Sequence, residues 1–170
     1  MKTWRGLGLL AAVFLGACAP TAGLEGGDSA STPATERTIF VTRHLHKAQG
    51  EDPPLSNEGA AAAQRLADLL ADKGIVATFA TPTRRAMQTA APLAQRIGVA
   101  VSGYDASAPE KLVASVASID GSVLVVGHSN TVPDLVTRFG GHSRPVLTEQ
   151  DYGTVFVIDG TGEVQELQVD

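Results

Sequence analysis

Ser122-Val123-Leu124-Val125-Val126-Gly127-His128-Ser129-Asn130 is the stretch on which the fold turns. Its apolar run has almost no polar alternation. That pattern suits a central strand covered on both faces. The run then ends abruptly in Gly127-His128-Ser129-Asn130. Upstream, Thr38-Ile39-Phe40-Val41-Thr42 is short and β-branched, which predicts a strand, and it ends in Arg43-His44. Thr78 to Thr81 predicts a second strand, leading into Pro82-Thr83-Arg84-Arg85, and Val99 to Val101 a third.

Helical patterns separate these strands. Ser56 predicts the cap of a helix to about Asp72, with Leu66, Leu69 and Leu70 on its apolar face, Arg65, Asp68 and Asp72 on another, and Gly74 as its stop. Arg84 to Ile97 carries Met87, Ala90, Ala94 and Ile97 along one stripe, and Pro92 is expected to kink it. Further helices are predicted over 109–119 and 132–139. Thr154 to Ile158 and Val164 to Val169 predict a closing hairpin around Asp159-Gly160-Thr161-Gly162. Strands alternating with helices imply a layered α/β fold.

Three of the predicted strands run directly into polar residues, and in an open α/β sheet ligands bind outside the carboxyl ends of the strands. Parallel strands would therefore gather Arg43, His44, Arg85 and His128 in one crevice. Guanidinium groups held together raise each other's free energy unless an anion joins them. Their forked donors match the oxygens of a phosphoryl group. A neutral imidazole beside them is a nucleophile, and the cations keep it unprotonated.

Composition sets the limits. The chain has 170 residues, 44% hydrophobic and 5% aromatic, with a formal net charge of −5. That length suits one globular domain with a core of Ala, Val, Leu and Ile. The acidic balance argues against nucleic-acid binding. Cys18 is the one cysteine, so no internal disulfide is possible.

The amino-terminal residues read differently. Lys2 and Arg5 precede an apolar run from Leu7 to Ala17, and Leu15-Gly16-Ala17-Cys18 ends it. A positive start, a short apolar stretch and small residues before a cut predict a secretory signal over 1–17. The run is short for a spanning helix, which needs about 20 residues. The four residues ending in Cys18 resemble a bacterial lipoprotein box, which implies a lipidated Cys18. Ala19 after it points to the outer membrane and a periplasmic domain. Losing Lys2 and Arg5 leaves 11 of the 13 basic residues against 18 acidic ones, a net charge of −7. Residues 18–36 are small and polar, which predicts a flexible tether, with the folded domain over 37–170.

The motifs resemble the histidine phosphatase superfamily, with its phosphoglycerate-mutase-like fold. That family opens with Arg-His at the end of its first strand, here Arg43-His44. A Pro-Leu-Ser/Thr-x-x-Gly segment often follows, here Pro54 to Gly59. Its Ser-Pro-x-x-Arg-Ala-x-x-Thr-Ala signature is met by Thr81 to Ala90, which aligns Arg85. Its third mark, an apolar strand ending in Gly-His, is Val125 to His128. The resemblance spans about residues 37 to 160. Thr81 stands in place of the usual Ser, and Leu45-His46-Lys47 departs from the family's usual continuation.

The resemblance implies a three-layer α/β/α sandwich with a mostly parallel mixed sheet. It implies that His44 attacks phosphorus, that Arg43, Arg85 and His128 hold the phosphoryl oxygens, and that water hydrolyses the phosphohistidine. No cofactor or metal is implied. The general acid would be Asp105 or Glu110, with Asp105 favoured, or none, since in the small branch of the family a good leaving group needs no dedicated acid. His46 and Lys47 are candidate further substrate contacts, and Ser129 a hydrogen-bonding residue beside the phosphate pocket. The similarity is nearest to the small branch that includes phosphohistidine phosphatases. Expected substrates are a phosphorylated small molecule or phosphohistidine.

Three rival readings follow from the same residues. Gly127-His128-Ser129-Asn130-Thr131 has the placement of a serine-hydrolase elbow, though Thr131 replaces its final Gly. His44, His46, His128 and His142 offer metal ligands, although the arginines would repel a cation. A catalytically weak lipoprotein that only binds phosphorylated ligands is the third. Arg84 is expected on a solvated helix face, His142 and Arg144 in a surface loop, and Met87 and Phe139 in the core.

Overall fold

The computed structural model describes residues 37–169. The expected signal over 1–17, the lipidation of Cys18 and the tether to 36 lie outside the described residues. Ten elements follow in order: β1 (Ile39–Arg43), α1 (Asn57–Leu70), β2 (Ile75–Ala80), α2 (Arg84–Ile97), β3 (Val101–Gly103), α3 (Pro109–Ala117), β4 (Ser122–Gly127), α4 (Val132–Arg138), β5 (Thr154–Ile158) and β6 (Val164–Gln168).

The strands form one sheet in the order β3-β2-β4-β1-β5-β6. β3, β2, β4 and β1 are mutually parallel, and the β5–β6 hairpin adds two antiparallel strands beside β1. All six residues of β4 are buried. Leu124 and Val126 pack with Leu66 and Leu70 of α1 and Leu93 of α2. Val123 and Val125 pack on the other face with Leu112 and Val116 of α3 and Leu135 of α4. Two helical layers therefore sandwich a mixed, mostly parallel sheet. The unbroken apolar run in β4 follows from having a core on each face, where each buried Val or Leu contributes about 1.5–3 kcal/mol.

Several boundaries differ from expectation for local reasons. β2 starts at Ile75, ahead of Thr78, because its pairing with β4 shifts register between Ile75 and Ala77 and leaves Val76 at 46% exposure. That irregularity breaks the period-2 pattern. β3 begins at Val101 instead of Val99. Gly98 adopts φ 76° to end α2, and the Val99 N–H returns to the Ala94 carbonyl. Pro92 sits inside α2 without dividing it. α1 stops at Leu70 and α3 at Ala117, two residues short of expectation in each case.

The start of α1 fixes the segment that follows β1. Ser56 caps the helix by accepting from the Gly59 N–H at 3.1 Å. The Ser56 N–H donates to the His46 carbonyl at 2.9 Å. A Cβ on Gly59 would stand 2.0 Å from that same carbonyl oxygen. Only glycine lets the helix approach this closely, and residues 44–47 are thereby pinned beside the sheet.

Candidate active site

The three polar segments meet because the strands that carry them are neighbours. Arg43 pairs with Gly127 across β1 and β4, and the His44 N–H donates to the Gly127 carbonyl at 3.0 Å. On the other side of β4 the Thr81 N–H donates to the Val126 carbonyl at 3.3 Å. Arg43, His44, Arg85 and His128 line one cavity of about 180 Å³ at this sheet edge. Lys47, Ser129, Asn130 and Glu149 complete its wall.

His44 is only 3% exposed. Its Nδ1 lies 2.9 Å from the Leu45 carbonyl oxygen. A carbonyl only accepts, so the proton of the neutral ring sits on Nδ1. Nε2 then carries the lone pair. Burial, reinforced by Arg43, Arg85 and His128, lowers the pKa from 6.5 to about 4, against the opposing Leu45 bond. The imidazole is therefore neutral at neutral pH, in the tautomer that leaves Nε2 free to attack.

Thr89 holds this segment in place. Its hydroxyl accepts from the Leu45 N–H at 3.1 Å and donates to the Arg85 carbonyl at 2.8 Å. One buried side chain thus ties the segment that carries His44 to the helix that carries Arg85. Arg84 and Arg85 occupy the first turn of α2, which holds no acidic residue. The positive end of the helix dipole therefore adds to their charge.

Arg43 is 2% exposed. Its Nη1 donates to the Thr148 and Asp151 carbonyls at 3.0 and 3.1 Å, and its Nη2 to Glu149 Oε2 at 3.0 Å. The guanidinium stands 4.2 Å from the centre of the Tyr152 ring. Arg85 reaches Asp52 Oδ1 at 3.5 Å. The Nε of both arginines is buried with no acceptor among the described residues. Each such orphan costs about 1–3 kcal/mol, an expense expected of arginines held for an oxygen-rich ligand.

His128 Nε2 is 2.8 Å from the Thr81 hydroxyl, so the Thr found in place of Ser supplies the same group. Its pKa is lowered by burial first and then by Arg85 and Arg43, while Glu149 acts in the opposite sense. The two histidine rings meet edge-on with centroids 5.2 Å apart. Ser129 also lines the cavity, and its hydroxyl donates to Glu149 Oε1. Ser129 is thus bonded to a carboxylate, and among the described residues its hydroxyl has no hydrogen bond to a histidine, which speaks against the serine-hydrolase reading.

Asp105 is a correction. It lines a different cavity, with Phe79 and Lys111. Its carboxylate accepts from the N–H and hydroxyl of Ser107 at 2.8 and 2.7 Å, which holds its pKa below the usual range. Local loop chemistry has claimed it, and Glu110 is exposed in the first turn of α3. Neither carboxylate is in the His44 cavity. Of the two further candidates after His44, Lys47 lines the cavity and His46 stands outside it. Its ring stacks on Tyr152 at 4.1 Å and lies 3.8 Å from Glu58. His142 lines a separate cavity of about 600 Å³ with Arg37 and Asp159, beside the amino end of β1. That cavity is larger but lacks the strand-end histidines and arginines. The four histidines of the metal reading therefore do not converge.

Sequence reasoning missed Glu149 and Tyr152. They come from the connection between α4 and β5, which has no pattern of its own. The acidic pair Glu149 and Asp151 beside Tyr152 was the one signal there.

Comparison with known proteins adds to this geometry. Residues 41–106 match the histidine phosphatase superfamily (branch 1). An uncharacterized protein of Mycobacterium tuberculosis strain H37Rv is 55% identical over 47 residues, 28% of this chain and 23% of that protein. The aligned stretch is thus under a quarter of that relative's length. Among solved structures, the protein histidine phosphatase SixA complexed with tungstate superposes with TM-score 0.60 at 21% identity, over 76% of this chain and 94% of that one. A mycobacterial glucosyl-3-phosphoglycerate phosphatase gives 0.59 at 15%, over 78% and 96%. These likenesses establish the phosphoglycerate-mutase-like fold.

Proposed function

We propose that this chain is a histidine phosphatase that hydrolyses phosphate monoesters or phosphohistidine through a covalent intermediate on His44. One observation carries the reading. A buried, neutral imidazole, with Nε2 free, shares a small cavity with two arginines and a second histidine. The family match over 41–106 includes Arg43, His44 and Arg85 and supports it.

Each step uses residues of the cavity. Arg43, Arg85, His128 and Ser129 hold the phosphoryl oxygens and offset the charge that develops on them. His44 Nε2 forms a bond to phosphorus as the bond to the leaving oxygen or nitrogen breaks, and the electron pair departs with that atom. Asp105 lies elsewhere, so the leaving group takes its proton from water at the open mouth. Water then attacks phosphorus, the P–N bond breaks, and His44 is released as a neutral imidazole with inorganic phosphate. Leaving groups of low pKa, such as p-nitrophenol or the imidazole of phosphohistidine, should therefore react fastest.

p-Nitrophenyl phosphate turnover by the full chain tests the reading. His44→Ala should lower kcat/KM by on the order of a thousandfold or more. Phosphate binding without turnover would instead favour a phospho-ligand-binding protein. The proposal extends to an exported protein, anchored in the bacterial outer membrane by a lipid on Cys18. The apolar run before Cys18 supports it. Among the described residues no helix is long and apolar enough to cross a membrane. Recovery in the membrane fraction, lost in Cys18→Ser, is the expected result.

A further inference from the structure

Glu149 is the one carboxylate among the residues lining the His44 cavity. Its Oε2 accepts from Arg43 Nη2 at 3.0 Å, and its Oε1 accepts from the Ser129 hydroxyl. Both donors belong to the set assigned above to phosphoryl oxygens. A carboxylate offers two oxygens to a forked donor, much as a phosphoryl group does. The fold does not force this placement. The Glu149 side chain is 72% exposed, while that of Arg43 is 2% exposed. Nor does Arg43 depend on it, since the Thr148 and Asp151 carbonyls and the Tyr152 ring hold the guanidinium from other directions.

We infer that Glu149 is a tethered competitor for the anion site, occupying donor positions that a phosphoryl group takes over when it binds. The inference rests on the phosphatase reading only for the identity of the anion. Two anions in contact repel, so carboxylate and phosphoryl group exclude each other from these donors. The Ser129 bond and the Arg43 charge hold the Glu149 pKa below the usual carboxylate range, so Glu149 is charged at neutral pH. A competitor on a short tether acts at an effective concentration of about millimolar. Apparent anion affinity is the intrinsic affinity multiplied by the fraction of molecules in which the carboxylate has swung out. Free phosphate is thereby held weakly and leaves readily. A true substrate makes up the difference with contacts outside the cavity.

The test is the dissociation constant of inorganic phosphate, measured calorimetrically on the full chain and on Glu149→Gln and Glu149→Asp. Glu149→Gln removes the charge. Glu149→Asp keeps it but withdraws the carboxylate from Arg43 by one methylene. Both variants should bind phosphate about tenfold more tightly. The KM for p-nitrophenyl phosphate should fall in parallel. Unchanged affinity in both variants overturns the inference. Tightening in Glu149→Gln alone also overturns it, because net charge would then be the cause. A fall in kcat with KM unchanged overturns it by making Glu149 a proton-transfer group. Tighter phosphate binding in both variants, with no turnover in any form, sustains the competitor and removes the phosphatase reading.

Discussion

A histidine that attacks phosphorus must satisfy opposing demands: it has to be desolvated and surrounded by cations, yet remain a neutral base. His44 meets them through the Leu45 carbonyl, which selects the tautomer, and through burial, which disfavours the charged ring. The ring should remain neutral as pH falls, until it protonates near pH 4. An NMR titration of its ring protons in the free protein is expected to show that midpoint, and a midpoint near 6.5 would contradict the account. Thr89→Val removes the hydroxyl that receives the Leu45 N–H. The buried donor left behind should cost about 1–3 kcal/mol of stability, read by denaturant unfolding. Turnover should fall too, because residue 45 sets the His44 tautomer.

At this scale the sequence was legible where a side chain's position follows from the end of a strand. Arg43, His44 and His128 stand directly after or within β1 and β4, so pattern alone placed them. Asp105 was not legible in the same way. Its side chain bonds Ser107 two residues on, in an exposed loop that lines a different cavity. Glu149 was hidden for a related reason. The long connection before β5 has no periodicity, and only the closed chain shows that it folds back over Arg43.

The elements act as positioning devices. α1 begins where Ser56 and Gly59 grip the His46 carbonyl, and so holds the strand exit that carries His44. Gly59→Ala would press a methyl carbon against that oxygen, now 2.0 Å from the Cβ position. The expected loss is about 3 kcal/mol, with lower activity, measured by thermal unfolding and p-nitrophenyl phosphate turnover. Ser56→Ala removes the cap and the hydroxyl's 3.3 Å bond to the His46 carbonyl, and should cost about 1 kcal/mol. The helices and β4 were readable because their periods are long and regular. β2 and β3 were misplaced by two or three residues. A register irregularity at Val76 and the left-handed Gly98 are backbone events with weak sequence signals.

The molecule as a whole pays for its site in acid. His44 has a folded pKa of about 4 against 6.5 unfolded, so the unfolded chain binds more protons between those values. Stability should be complete above pH 6.5 and decline as pH falls toward 4, by up to about 3 kcal/mol from this group. His128, shifted the same way, adds to the slope. His44→Asn should flatten the decline in urea midpoints across that interval. An equal slope in that variant would assign the acid sensitivity elsewhere.

The most direct test of the central claim is to trap the intermediate. The full chain is mixed with p-nitrophenyl phosphate, quenched in base within the first turnovers, and digested for mass spectrometry. The account predicts an acid-labile phosphoryl group on the peptide containing His44, absent from His44→Ala. A phosphoryl group on Ser129, or turnover that persists in His44→Ala, would contradict it.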